Sequence, residues 1–389
     1  MKKILQLALI INVLISINLS LKAQVTIGAN IDANQGSLLD LKEYEPDDSN
    51  SNSTKGVLLS RVYLTATTGD LATTMGATPF SYDANSHTGL VVYAVNSFGY
   101  RQANCPGIYV WNSEEWVALN KPKEAEVIQN KVYDQQGNVY DVATFGTAGV
   151  WMTQNLRTTI TPCGEPLVES GTSQNYTEKD YYYPNKDKTN YISHNEYGLL
   201  YNWAAATNGK GGTSGNDFNY DEGEGETVAN PVPGNVEEVG VQGICPYGWH
   251  IPSDKEWNAL EKYITENPEP HTDGTIAAGT WNPSWNFVNT WRGANQGRSL
   301  KSQATINGAS VGGHSKSSSQ NGFDGLAVGG IHFTDGVVNY SLGMHFWTSS
   351  AYDNVRAWRR YMGDNSTSNV GRYPLGNRKS FYSVRCKKD

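Results

Sequence analysis

The chain has 389 residues, of which 17% are charged and 11% aromatic, with 40 glycines and a formal net charge of −8. This composition is typical of a strand-rich, loop-rich globular protein of two or three domains, and it excludes a coiled coil, a helical repeat array and a collagen-like fibre. The acidic balance also argues against a general nucleic-acid binder.

The first residues carry a targeting pattern. Lys2 and Lys3 precede an apolar run over residues 4–21, and Ala23 supplies a small residue at the expected cleavage position. The pattern predicts a signal peptide over residues 1–23. An uncleaved membrane anchor is the alternative, because the run is nearly long enough to span a bilayer. We therefore expect an exported protein, secreted or associated with the cell surface or outer membrane, with no membrane span after signal removal.

Residues 24–121 are predicted to form a small all-β module. Short apolar runs that begin at glycine or at a polar turn are typical of strands. Such runs lie at residues 25–27, 36–41, 56–64, 89–95 and 107–119. The charged, proline-containing stretch that follows predicts a linker over residues 122–127.

Residues 128–389 are predicted to form a larger α+β domain. Residues 134–138, Asp-Gln-Gln-Gly-Asn, lie between two aliphatic-aromatic runs and predict a hairpin. Residues 197–207 place apolar side chains on one helical face and predict a helix. A second helix is predicted from about Asp254 to Asn267, because Ser253 and Glu256 form a capping box and Pro268 stops it. We expect the stripe of this helix to be core: Trp257, Leu260, Glu261 and Ile264.

The four cysteines are Cys105, Cys163, Cys245 and Cys386. An even number in an exported protein predicts disulfides, with three pairings open and free buried thiols as the alternative. There is no C-x-x-C motif, so a zinc ribbon or a thioredoxin-like site is not indicated.

The second domain carries a series of motifs in a fixed order. They are residues 133–159, the run YGLLYNWAAA at 197–206, GICPYGWHIPSDKEW from residue 243, GFDGLAVGG at 322–330, FWTSS at 346–350 and SVRC at 383–386. Their order and spacing resemble the Fibrobacter succinogenes major paralogous domain, over residues 128–389. This resemblance implies a C-type-lectin-like fold related to formylglycine-generating enzymes. It also implies surface display and ligand binding more than catalysis.

The resemblance also bears on the first module and on the cysteines. Runs such as KGVLLSR at residues 55–61 and YVWNSEEW at residues 109–116 resemble a module found at the N-terminus of similar exported proteins, for which we expect a stalk or attachment role. In a lectin-like fold the domain ends lie close together, which implies a structural Cys245–Cys386 bond and leaves Cys105 to pair with Cys163. A reactive redox pair is the rival interpretation.

No catalytic residue, metal ligand or cofactor is predicted. The seven histidines match no metal-ligand spacing, and we expect His250 to pack or hydrogen-bond in the core. A G-x-S-x-G occurs at residues 308–312, but the following sequence is a poor helix start, so we interpret it as chance. The calcium signatures of lectins are missing from the second domain. The acidic stretch at residues 217–226 is predicted to be a solvated loop, with cation binding as the alternative.

The most informative stretch is residues 351–389, with nine basic and three acidic residues. We predict a contact surface for an acidic ligand here, because arginine, asparagine and aromatic side chains are common at contact surfaces. The predicted ligand-binding residues are Tyr352, Asn354, Arg356, Trp358, Arg360, Tyr361, Asn365, Asn369, Arg372, Tyr373 and Arg378. Strand alternation places Arg356, Trp358 and Arg360 on one face and Ala357, Arg359 and Tyr361 on the other. Alternatively, Trp358 or Tyr361 is core and the arginines solvate a strand edge.

We therefore expect a non-enzymatic, exported cell-surface binding protein or adhesin that contacts a glycan or protein, with a pilus-tip subunit as one setting. The partners expected are this ligand and other surface or pilus subunits. Two alternatives stay open. One is a formylglycine-generating-like or polysaccharide-acting enzyme, and the other is a structural surface subunit without a ligand site.

Overall fold

The computed structural model describes residues 25–28, 31–32, 37–44, 51–76, 87–96, 104–120, 124–171, 176–209, 241–334, 336–353 and 355–389. The predicted signal peptide, the first part of the predicted linker and the acidic stretch at residues 217–226 lie outside these residues. The chain divides into two compact units, Met1–Ser60 and Arg61–Asp389. In the first unit, strand β1 (Val25–Ile27) pairs in parallel with β2 (Leu39–Leu41).

The second unit begins with a four-stranded sheet. Its strands are β3 (Arg61–Val62), β4 (Val91–Ala94), β5 (Gly107–Trp111) and β6 (Trp116–Ala118), in the order β3–β4–β5–β6. One turn of helix, α1 (Leu71–Thr74), covers one side, where the Asp70 side chain caps it and Leu71 packs with Trp111 and Trp116. The predicted module was all-β. The helical turn forms because the capping aspartate precedes two small or apolar residues that are buried.

The rest of the second unit is rich in strands. They are β7 (Lys131–Tyr133), β8 (Val139–Thr144), β9 (Val150–Met152), β10 (Val168–Glu169), β11 (Asp180–Tyr182), β12 (Leu200–Tyr201), β13 (Trp249–His250), β14 (Trp291–Arg292), β15 (Gly330–Ile331), β16 (Val337–Val338), β17 (Met344–Ala351), β18 (Arg356–Met362), β19 (Val370–Asn377) and β20 (Lys387–Lys388). The helices are α2 (Lys188–Ser193), α3 (Trp203–Ala206), α4 (Asp254–Glu266) and α5 (Gln296–Leu300). The predicted α+β class is confirmed in its coarse form, as a mixed, sheet-rich fold with few helices.

Two sheets and the long helix α4 form the centre of this part. One sheet has the order β13–β20–β9–β8–β7, and the other has the order β14–β19–β18–β17. On α4, Trp257 packs against Trp151 of β9 and Phe346 of β17, with ring centroids 5.2 and 5.4 Å apart. The apolar stripe of α4 thus joins the two sheets through one core.

Several local predictions can be compared with the structure. The hairpin at residues 134–138 and the capping box of Ser253 with Glu256 are both confirmed. The helix predicted over residues 197–207 is wrong in its first half, because Leu200 and Tyr201 form β12 against β11. Only α3 is α-helical there, and it begins after Asn202, whose side chain accepts a hydrogen bond from the Ala205 amide.

The cysteine pairing is confirmed. Cys105 is bonded to Cys163 and Cys245 to Cys386. Cys245 and Cys386 are fully buried in the core, whereas Cys105 and Cys163 are half-buried. Among the described residues, we find no helix of the length and apolar character that crossing a membrane requires.

Candidate ligand-binding face

One face of the sheet β14–β19–β18–β17 carries half-buried aromatic side chains. The register aligns Trp291 with Gly371 and Gly371 with Tyr361 across three neighbouring strands. Because Gly371 has no side chain, the Trp291 and Tyr361 rings approach with centroids 5.2 Å apart, and Tyr373 occupies the space that a β-carbon on Gly371 would need. We call Trp291, Arg359, Tyr361 and Tyr373 the aromatic face.

Arg359 completes the aromatic face. It lies opposite Tyr373 in the register, and its guanidinium carbon is 5.1 Å from the centre of the Tyr373 ring. Its Nη1 donates a hydrogen bond to His345 Nδ1 at 2.7 Å, and His345 stacks on Tyr361. Burial and the charge of Arg359 hold the pKa of His345 well below its usual value, so this histidine is a neutral acceptor. The arginine is thus fixed in place by a neutral histidine.

A polar loop borders the aromatic face. Residues 363–369 connect β18 to β19, and Asp364, Asn365 and Ser366 are exposed. A β-carbon on Gly363 would lie 3.3 Å from the edge of Trp291, which places this loop beside the aromatic side chains. We call residues 363–369 the binding loop.

A buried lysine holds the binding loop. Lys301 Nζ donates hydrogen bonds to the backbone carbonyls of Gly363, Asp364 and Thr367, at 3.3, 2.8 and 2.7 Å. The Lys301 side chain is buried, and burial lowers its pKa to about 8. From the other side, Gly297 packs so closely on the carbonyl of Asn369 that no side chain fits there. The loop therefore rests on a rigid support, an arrangement typical of binding sites.

The opposite face of the same sheet meets helix α4 through buried charges. Arg360 donates to Asp254 Oδ1 and to Glu261 Oε1, each at 2.6 Å. Arg372 donates to Asp254 Oδ2 at 2.6 Å, and Arg292 donates to Glu261 Oε1 at 2.9 Å. All five side chains are buried. We call them the buried ion network.

The side chains of the buried ion network keep one another ionised. Burial alone would raise the pKa of Asp254, but Arg360 and Arg372 outweigh it and lower that pKa. Burial lowers the pKa of Arg292 to about 10 against the opposing effect of Glu261, so this arginine stays charged near neutral pH. The network ties the sheet to α4 and thereby supports the aromatic face on its other side.

The structure corrects part of the predicted contact surface. Trp358, Arg360, Arg372 and Arg378 are buried, so they form no exposed patch. The predicted strand alternation is wrong at Ala357, which is buried next to Trp358 where the register shifts between Ala357 and Arg359. From Trp358 to Met362 the strand does alternate, and its outward side is the one with Arg359 and Tyr361. The reason is that α4 supplies two buried carboxylates, and the arginines that reach them must point inward.

The remaining predicted residues fall into two groups. Tyr361, Tyr373, Asn365 and Asn369 lie on the aromatic face and its binding loop. Tyr352 and Arg356 flank the β17–β18 turn instead, where Arg356 pairs with Asp353 and lies 5.0 Å over the Tyr352 ring. Asn354 lies outside the described residues. Sequence reasoning missed Trp291, because a tryptophan in a two-residue strand carries no periodic signal.

The structure removes the main reason to expect an acidic ligand, which was a cluster of exposed basic residues. Most of the basic residues in the last 39 positions are paired or buried: Arg360 and Arg372 with α4, Arg356 with Asp353, and Lys387 with Glu256. Arg385 is fully buried and donates to Asn155 and to the carbonyls of Phe323 and Asp324. The charge excess seen in the sequence is therefore largely paired or buried.

The structure also locates the other residues that the sequence singled out for a chemical role. His250 is buried and hydrogen-bonded to Asp389 and Glu256, which confirms its predicted core role. Ser310 of the G-x-S-x-G is exposed just after a turn, and irregular backbone rather than a helix follows it directly. Within the described ranges, no group of three or more histidine, cysteine, aspartate or glutamate residues is arranged to hold a metal ion.

Comparisons with known proteins identify two regions of the chain. Neither the curated proteins nor the solved structures gave a match. A family model described as a phage tail like trimerisation region matches residues 26–134. A second family model, described as the Fibrobacter succinogenes major domain, matches residues 146–388, which is more than half of the chain. The resemblance of the sequence motifs is thereby confirmed, and the chain belongs to the Fibrobacter succinogenes major domain family.

Proposed function

We propose that this protein is an exported surface adhesin that binds a glycan through the aromatic face and the binding loop. Its two family matches are those of a surface or structural protein. Its two disulfides are consistent with an extracellular location. The observation that carries the proposal is the half-buried group of Trp291, Tyr361 and Tyr373 beside an exposed polar loop.

The chemistry of this face suits a neutral sugar. Aromatic rings offer apolar surface to the C–H groups of a sugar ring, and a small number of polar groups fixes its orientation. Asn365 and Ser366 present an amide and a hydroxyl at the rim, and Arg359 adds fixed donors. A protein ligand is the alternative, since tyrosine, tryptophan, arginine and asparagine also form protein contact surfaces.

We further propose that the domain of residues 128–389 has a C-type-lectin-like fold. The strand-rich architecture supports this. So does the pairing of β20, close to the end of the domain, with β9 and β13, which the Cys245–Cys386 bond reinforces. The non-enzymatic role stays a prediction. Support for it comes from Cys245, which is bonded and fully buried rather than placed at a surface cleft.

We propose a trimer as the state in which the adhesin is displayed. The match of residues 26–134 to a trimerisation region supports this. Three copies of one weak sugar site on a common stalk would bind a multivalent surface far more tightly than one copy, because the later contacts form at a high effective concentration.

A glycan array tests the binding proposal directly. The wild-type chain should bind a restricted set of glycans, and Trp291→Ala should lose most of that signal. Tyr352→Ala removes an exposed tyrosine at the β17–β18 turn and serves as the matched control, which should bind like wild type. Signals should change little between low and high salt, because a neutral sugar has no charge with which Arg359 could interact. Equal binding by Trp291→Ala and wild type would contradict the proposed site.

A further inference from the structure

The four-stranded sheet β3–β4–β5–β6 carries apolar side chains on both of its faces. On one face, Val92, Tyr109, Trp111 and Trp116 are buried against α1. On the other, the register aligns Val91 with Val110 and Val117, and Tyr93 with Ile108. We call this second side the open sheet face: Arg61, Tyr63, Val91, Tyr93, Val95, Ile108, Val110, Val117 and Leu119.

The open sheet face is exposed to solvent in the single chain. The exposed fraction is 37% for Val91 and Ile108, 39% for Tyr93, 41% for Val117 and 64% for Tyr63. Arg61 is the only charged residue among its nine positions. A sheet with one face in water normally alternates apolar and polar residues, whereas strands apolar on both sides are typical of sheets covered on both faces. This sequence therefore favours a second layer over the open sheet face.

We infer that the open sheet face is a contact between copies of this chain, an inference that rests on the trimer proposed above. All four strands of the sheet lie within residues 26–134, the region matched by the trimerisation model. Contiguous apolar surface of this kind marks interaction sites in soluble proteins. Since the open sheet face carries a single charge, three copies of the chain can bring this face together without strong electrostatic repulsion.

Light scattering on the full disulfide-bonded chain tests the inference. The wild type should have three times the mass of one chain, and Ile108→Lys combined with Val117→Lys should have the mass of one chain. The matched control is Leu342→Lys combined with Leu375→Lys, which alters two exposed leucines of the second domain and should leave the trimer intact. Circular dichroism and thermal unfolding would establish that the lysine variant is folded.

A milder variant covers the case in which the lysine variant fails to fold. Val117→Thr is nearly isosteric, so the sheet should form, but the trimer should need at least a tenfold higher concentration to assemble. If the wild type is a trimer and both variants assemble like wild type, the inference is overturned and the proposed trimer stands. If the wild type has the mass of one chain at every concentration, the inference and the proposed trimer are both overturned. In that case, a loss of thermal stability in the lysine variant would indicate that the chain's own residues cover the face.

Discussion

Arg360 donates through Nε to Glu261 Oε1 at 2.6 Å, and neither side chain is exposed to solvent. The same guanidinium also reaches the Asp254 carboxylate and the Asn258 side chain. Each buried charge thus has several partners, which is the condition under which a buried ion pair is tolerated. This contact joins helix α4 to the strand whose opposite side carries Arg359 and Tyr361, so the position of the aromatic face depends on it.

Removing a carboxylate from the buried ion network should destabilise the protein strongly. We expect Glu261→Ala to lower the free energy of unfolding by about 3–5 kcal/mol, because it removes the buried carboxylate to which Arg292 donates and one of the two to which Arg360 donates. Chemical denaturation of the disulfide-bonded chain would measure this. Asp353→Ala is the matched control at the half-exposed pair with Arg356, and it should cost less than about 1 kcal/mol. Equal losses in the two variants would show that the network does not support the fold.

The stability of the protein should depend on pH through His250. Burial lowers the pKa of this histidine, but hydrogen bonds and charge from Glu256 and Asp389 outweigh burial and the nearby Lys387, and raise the pKa to about 9. The folded chain therefore binds this proton more tightly than the unfolded chain, whose histidine has a pKa of about 6.5. This contribution to stability is full below about pH 6.5 and is lost as the pH rises to about 9.

A comparison of variants isolates this contribution. We expect the difference in unfolding free energy between wild type and His250→Gln to shrink by about 3 kcal/mol from pH 6.5 to 9. His314→Gln, which changes a half-exposed histidine paired with Asp273, should keep the pH dependence of the wild type. A difference between wild type and His250→Gln that is constant over this range would contradict the charged state assigned to His250.

Lys301 should fix the binding loop. In Lys301→Met, three loop carbonyls lose their shared donor, and we expect a loss of about 1–3 kcal/mol in stability together with faster amide hydrogen exchange over residues 363–369. Lys316 also donates to two backbone carbonyls, but at the surface, so Lys316→Met is a matched control with little expected effect. Unchanged exchange in Lys301→Met would mean that the loop is held by other contacts.

The two disulfides should differ in their resistance to reduction. Cys105 and Cys163 are half-buried, whereas Cys245 and Cys386 are fully buried, so a mild reductant should reach the first bond before the second. Alkylation after timed native reduction, followed by mass spectrometry, would give the order. The chain without reductant should show no reactive thiol, and labelling of Cys245 in that sample would favour the redox alternative.

The sequence predicted those parts of the fold that are determined by residues close together in the chain. Helix α4 was predicted nearly in full because its capping box and apolar stripe are local signals. The strand β12 was missed because Leu200 and Tyr201 gain their pairing from β11, almost twenty residues earlier. The disulfide pairing followed from the family resemblance, since four cysteines alone leave three arrangements open.

The candidate site was predicted only in part, for a related reason. The stretch rich in arginine and aromatic residues does contain Tyr361 and Tyr373, but composition cannot tell an arginine that meets solvent from one that meets a carboxylate. The buried Glu261, on an apolar helical stripe, was the one sequence signal that a cation would be drawn inside. Its partners Arg292 and Arg360 are 31 and 99 residues away in the chain, so no local pattern could identify them.

Amide hydrogen exchange of the full chain, with and without the glycan that gives the strongest array signal, tests the central claim most directly. The protein should show slower exchange on glycan binding at residues 363–373 and around Trp291, with no change at residues 352–356. Slower exchange confined to residues 352–356, or found only outside the aromatic face and the binding loop, would contradict the account.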